Sequence, residues 1–450
     1  MDKYYLSAPI RMFALFIIIG YFIYSCLSLA QVLETSGDGY ISDECWYVSS
    51  ARNILEKVFG VLPNMDMDGI YASIFVNDSA TASAIAESLG IKVIHVYERL
   101  PAIYVSASAE SIYNFCKVVN VSDIVYGWRL PDTNNINRYF NLEHPPMAKY
   151  LIGLSMFLFG DRPFYWRMPN IFAGAVTLIL LFMLARTLAS DYLALLIVGS
   201  VSIDPLFRNM SVIAMLDIWT ALFTVLAGYF LVKRLYDFSV LSVAIGATFK
   251  FTALTFMFAI ILSYVLDMLY RGSLRIKSTL EFIGFSVLAF IMMYFATSSP
   301  LIAFFNVERW FYLNFILIFL STKIVGHPYT STPWEWFFGI KPFPLLNRPH
   351  IVASGNIAIC ALTFILMLFE FPSWFELTPS SKKSLRMLAG TFLGYMLIFV
   401  TLRRDMFSFY MVQMTPLVYV FFTLTIFEYI TLKQYRKTLE LWLSFILPAS

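Results

Sequence analysis

The chain has 450 residues, 59% of them hydrophobic and only 14% charged, with a mean hydropathy of +0.71; a soluble domain is roughly half apolar and a quarter charged. Water is therefore excluded as the main solvent of this chain. A net charge of +3, evenly spread, also argues against a nucleic-acid partner. Four cysteines, Cys26, Cys45, Cys116 and Cys360, lack metal-ligand or redox spacing and suggest no disulfide framework.

The first apolar block, Met12 to Ala30, follows Lys3 and Arg11. It is longer than the apolar part of a signal peptide and reads as an uncleaved first span with its basic flank in the cytoplasm. Gln31 to Pro146 then lies outside. Further spans are expected at about 167–189, 191–207, 211–233, 238–253, 254–270, 278–298, 350–371, 386–402, 407–431 and 438–450, near the roughly 20 residues a helix needs to cross a bilayer. Basic groups support the orientation: Arg186, the Lys233 and Arg234 pair, Arg271 with Arg275 and Lys277, Lys382 with Lys383 and Arg386, and Lys433 with Arg436 and Lys437 all fall inside. A second polar loop, Ser299 to His350, falls outside.

Within the first loop, residues 68–132 read as a folded insertion between a segment 1–67 and a membrane domain 133–450. Gly69 to Val76, Ile91 to Tyr97, Ala102 to Ala107 and Ile124 to Trp128 have strand composition, and Ser79 to Leu89 and Ser108 to Val119 are helix-like. The β-α-β-β-α-β order suggests a ferredoxin-like domain, read as a lid or docking element or as a simple spacer. The fold class is thus an all-α polytopic membrane protein of about eleven transmembrane helices with a small α/β insertion.

Ionisable residues beside or inside a membrane are costly and count as site candidates. Asp43, Glu44, Glu143, His144, Asp204 and Asp217 all fall on the expected outer side, whereas Asp191, Asp237 and Asp267 sit singly near the inside. Asp43 is the candidate base, with Glu44 as its partner; the alternative is a cap on the helix that follows. Asp217 is either a site acid or a structural one. His144, Lys250, Arg403 and Arg404 are candidates to hold a leaving phosphate, against snorkelling for Lys250 and pairing with Asp405 for the arginines. Asp66-Met67-Asp68 resembles a metal-chelating acidic pair only by chance-level pattern; Asn77, Asn120 and Asn209 begin sequons; His95 reads as a strand residue.

Asp43-Glu44-Cys45-Trp46-Tyr47 with Ala51-Arg52, Glu143-His144-Pro145-Pro146-Met147-Ala148-Lys149, Phe159-Gly160-Asp161 and Trp166-Arg167, then Met215-Leu216-Asp217, the Lys250 segment and His327-Pro328-Tyr329 with Ser331, Pro333-Trp334 and Trp336 together resemble the protein O-mannosyltransferase family. That family shares the GT-C fold with lipid A aminoarabinose transferases and oligosaccharyltransferases. The resemblance implies transfer of mannose or another hexose from a polyprenyl- or dolichyl-phosphate carrier to a hydroxyl acceptor on a protein, lipid or glycan. It implies an extracytoplasmic site with Asp43 as acid/base, Glu44 and Asp217 supporting it, and His144 and Arg404 at the lipid phosphate. It also implies that the His327 loop borders the carrier cavity. A divalent cation is left open, since family members differ in metal dependence, and oligomeric state is open too. The membrane would be the plasma membrane of a prokaryote or archaeon, or the endoplasmic reticulum of a eukaryote. The rival readings are a transporter or flippase of lipid-linked sugars and a catalytically silent scaffold.

Overall fold

The computed structural model describes residues 6–64, 70–321, 326–370, 377–432 and 434–446. The Asp66-Met67-Asp68 pattern lies outside these residues.

The chain opens with α1 (Ala8–Glu34), which at 1.5 Å per residue is about 40 Å long, enough to cross a hydrocarbon core of about 30 Å. Its Phe13, Phe16 and Tyr24 are exposed, as expected where lipid covers the surface. After α2 (Glu44–Asn53) comes the insertion: β1 (Ile70–Val76), α3 (Ser79–Ser88), β2 (Lys92–Val96), β3 (Ala102–Ala107), α4 (Ala109–Val118) and β4 (Val121–Tyr126). Asp78 and Ser108 start the two helices by accepting from amides of the first turn. The sheet order is β2-β3-β1-β4, antiparallel throughout, as a ferredoxin-like unit requires. One face buries Ile74, Ile103 and Val105 against Ala82, Ala86, Ile112 and Phe115; the other carries Phe75, Tyr97 and Tyr104.

The helical domain continues through α5 (Met147–Phe159), α6 (Pro163–Leu188), α7 (Asp191–Ser202), α8 (Pro205–Val212), α9 (Asp217–Val232), α10 (Tyr236–Ala247), α11 (Met257–Tyr270), α12 (Ile276–Phe305) and α13 (Val307–Ser321). A β5 (Phe343–Leu346) and β6 (Ile351–Ala353) hairpin precedes α14 (Ile357–Phe369), α15 (Pro379–Leu402), α16 (Thr415–Leu432) and α17 (Gln434–Ile446). Among the described residues, five helices are long and apolar enough to cross a membrane, or seven if each of two bent pairs counts as one span. The eleven expected spans are therefore not all continuous helices. α7 and α8 meet at 62°, because Asp204 and Pro205 end one helix and start the next. The chain also turns extended at Lys250 between α10 and a short 3₁₀ stretch leading into α11.

The loop expected from Ser299 is helical instead: α12 runs through Pro300 to Phe305, and α13 follows after Asn306. Two of the three inner-side acids are held by arginines. Asp191 pairs with Arg11 and Arg186, and Asp267 with Arg234 and Arg386. Since Arg11 begins α1 and Arg186 ends α6, these helices share one end, and the end of α1 and the start of α6 lie toward the other.

Candidate active site

Asp43 sits where α2 begins, yet its side chain caps no amide. The helix-cap explanation therefore fails, and its carboxylate is left for other work. The residue is half-buried. Burial raises its pKa above the ordinary 3.8 and Asp217 adds to this, while Lys250 and His327 pull it down. The His327 backbone amide donates to Asp405 Oδ2 at 2.7 Å, which fixes the loop that carries its ring; Asp405 thus holds this loop and forms no ion pair with Arg403 or Arg404 among the described residues.

Glu44 occupies a different place from the one the sequence suggested. It is fully buried and accepts four hydrogen bonds: Arg167 Nε and Nη2 at 2.9 and 2.8 Å, the Ile41 amide at 2.8 Å and the Ala214 amide at 2.7 Å. A carboxylate with both oxygens doubly engaged has little capacity left for a substrate, so Glu44 positions rather than reacts. Asn170, one turn along α6 from Arg167, donates to Ile213 O at 2.5 Å and Met215 O at 2.7 Å. Together these groups hold the turn that presents Asp217.

Asp217 Oδ1 accepts from Lys250 Nζ at 2.6 Å, while Asp217 Oδ2 has no protein partner. Lys250 reaches it because of the helix break, and its ammonium lies 4.5 Å from the Tyr410 ring centroid. It neither snorkels nor stands free. The same break accepts the first amide of α5, Met147 N to Thr248 O at 3.2 Å, so the Glu143-His144 segment is docked beside Lys250. Lys149, buried, reinforces this by donating to Asn141 O at 2.5 Å and His144 O at 2.9 Å.

His144 packs edge-on to Tyr47, 5.7 Å between centroids, one helical turn from Asp43. Burial, with the positive charges of Lys250, Lys149 and Arg404 around it, drives its pKa well below 6.5. The imidazole is thus neutral near pH 7 and offers an N–H rather than a cation. Glu143 accepts from Tyr139 Oη and from Asn141 Nδ2 at 2.9 Å, and its Oε2 is unpartnered. Arg404 is half-buried beside this group, whereas Arg403 is exposed at the left-handed end of α15. Asp204 is spent structurally: it accepts from the Phe207 and Asn356 amides and from Tyr419 Oη.

Sequence reasoning quoted Arg52, Asp161 and Arg167 but assigned them no role. Arg52 grips Asp161 with Nε at 2.6 Å and Nη2 at 3.0 Å, and Trp166 Nε1 donates to the same carboxylate at 2.6 Å. An arginine near the start of the apolar helix α6 was the signal that could have revealed the role of Arg167; Arg52, in the polar helix α2, offered none. No group of three or more His, Cys, Asp or Glu suited to a metal occurs among the described residues.

Residues 143–299 match the family described as dolichyl-phosphate-mannose-protein mannosyltransferase. A 115-residue stretch, 25% of this chain, is 30% identical to a polyprenol-phosphate-mannose–protein mannosyltransferase of Corynebacterium glutamicum, of which it covers 22%; the chain thus spans about a fifth of that relative's length. ArnT from Cupriavidus metallidurans in the apo state aligns at a TM-score of 0.42 and 12% identity, over 66% of this chain and 52% of that one. The archaeal oligosaccharyltransferase AglB from Archaeoglobus fulgidus, in complex with an inhibitory peptide and a dolichol-phosphate, aligns at 0.37 and 12% identity, over 96% of this chain and 52% of that one. The stretch matched by the family contains Glu143, His144, Asp217 and Lys250, so four of the candidate site residues lie where this chain is similar to the dolichyl-phosphate-mannose-protein mannosyltransferases.

Proposed function

We propose that this chain transfers a sugar, mannose or another hexose, from a polyprenyl-phosphate carrier to a hydroxyl acceptor at the extracytoplasmic face of its membrane. The observation that carries the reading is Asp43: a carboxylate at a helix start that caps nothing, raised in pKa by burial, and within the electrostatic reach of Lys250, Asp217 and His327. A base is most effective when its pKa approaches the working pH, and burial moves Asp43 in that direction.

In this mechanism the Asp43 carboxylate takes the proton of the acceptor hydroxyl as that oxygen bonds to the anomeric carbon. The bond from the anomeric carbon to the phosphate oxygen breaks, and the lipid phosphate leaves with the electron pair. Arg404 supplies positive charge to the leaving phosphate, and the neutral His144 supplies an N–H. Lys250, engaged by Asp217, contributes its field without being a free ligand. The unpartnered oxygens of Asp217 and Glu143 are placed to accept from hydroxyls of the sugar or the acceptor. Glu44 with Arg167, and Arg52 with Asp161, keep α2 and the Asp217 turn in register.

The experiment is transfer from a panel of polyprenyl-phosphate sugars by the full chain in liposomes, wild type against Asp43→Asn. Carrier movement across the bilayer without transfer by either protein would favour a transporter.

A further inference from the structure

We propose that a cavity of about 640 Å³ between the insertion and the end of the helical bundle is a saccharide-binding site, separate from the Asp43 group. Its size is that of a small-ligand site, which runs from about 300 to 1,000 Å³. Its wall chemistry selects the occupant. Tyr71 and Tyr104 project from the sheet face opposite α3 and α4, their rings stacked 6.1 Å apart at an interplanar angle of 28°, and Trp128 adds a third aromatic surface. A pyranose has C–H-rich faces that lie on such rings and a rim of hydroxyls that needs planar polar partners. Glu34, Asn64 and Arg129 provide those partners. Ile94 is the one aliphatic side chain in the lining among the described residues, so aromatic faces make up most of its apolar part.

The walls are held in place by bonds that cross from insertion to bundle. The Trp128 amide donates to Asp161 Oδ2 at 3.1 Å and Trp128 Nε1 to Asp38 O at 2.9 Å, while Arg129 pairs with Asp38. Gly127 allows this closeness: at φ +111° a Cβ would meet Asp161 Oδ2 at 2.1 Å. Asp161 is in turn gripped by Arg52 of α2, so the cavity wall and the helix that Asp43 begins share one strut. On the transferase reading above, this site holds the glycan part of an acceptor while the reacting hydroxyl lies at Asp43. Saccharide binding itself stands without that reading.

The test is isothermal titration of mannotriose and maltotriose into the full chain in lipid nanodiscs, free of sugar-headed detergent. At least one trisaccharide is expected to bind. Tyr71→Ala, at a residue 41% exposed, should weaken binding by about tenfold, Tyr71→Phe should keep it, and Asp43→Asn should leave it unchanged. Absence of binding by the wild type, equal loss in Asp43→Asn, or binding unmoved by Tyr71→Ala overturns the inference. Transfer without trisaccharide binding removes this site and leaves the transferase reading; binding without transfer does the reverse.

Discussion

At Asp43, burial and the neighbouring Asp217 carboxylate raise the pKa above 3.8. As the base must be ionised to act, activity should be full above the raised pKa and fall as pH drops through it. The acid limb of kcat/KM against pH is therefore expected at a higher pH than an ordinary aspartate gives, and a limb at or below 3.8 would contradict the assignment. The pKa of His144 is pushed well below 6.5 by burial and the surrounding cations, so it should add no second limb at or above pH 6.5. His144→Gln, which keeps a neutral donor, should retain more activity than His144→Ala, and the alanine variant should lose about 10²-fold in kcat, the scale of one donor to a developing anion. Asp43, His144 and Arg404 stand out in the sequence as candidates because each is a polar group beside the membrane. Glu44, expected as the partner of Asp43, is instead turned into the core against Arg167, which adjacent acids in a sequence do not reveal.

Among the elements, α2, α5 and α6 depend on two buried ion pairs, Glu44 with Arg167 and Arg52 with Asp161. Removing one partner of such a pair strands the other charge, at a cost of about 3–5 kcal/mol. Arg167→Met should accordingly lower Tm in detergent by several degrees, and Arg167→Met with Glu44→Met should lower it less than the sum of the single changes; strictly additive losses would show that the pair is not coupled. The element order of the insertion was read correctly: Ala102–Ala107 is the strand expected there, α3 begins at Ser79 as expected and α4 one residue inside Ser108, while the last strand, expected at Ile124 to Trp128, runs from Val121 to Tyr126. Strand alternation and the Asp78 and Ser108 caps are local signals. The helix breaks at Asp204 and Lys250 lie three residues before the span ends expected at 207 and 253, because hydropathy averaged over a window cannot locate a break on single residues whose partners lie far along the chain. Asn356 and Asp217 are those partners.

For the whole molecule, Arg11 and Arg186 meet at Asp191, which puts the start of α1 and the end of α6 on one side and the insertion and Asp43 on the other. With the basic side cytoplasmic, a cysteine placed at exposed Asn77, in a chain whose four native cysteines are serine, should react with an impermeant maleimide in intact cells. One placed at exposed Ser273 should react only after permeabilisation. The reverse pattern would invert the topology and move the site to the cytoplasm. The basic residues alone predict this orientation, whereas they do not give the number of continuous spans, since short and bent helices complete the bundle only through packing between them.

The most direct test of the central claim is the rate of sugar transfer from a polyprenyl-phosphate sugar in liposomes by Asp43→Asn relative to wild type. The account predicts a loss of about 10²- to 10⁴-fold, the range of general-base catalysis, with carrier binding and Tm retained. Transfer at the wild-type rate by Asp43→Asn would contradict it and place the base elsewhere.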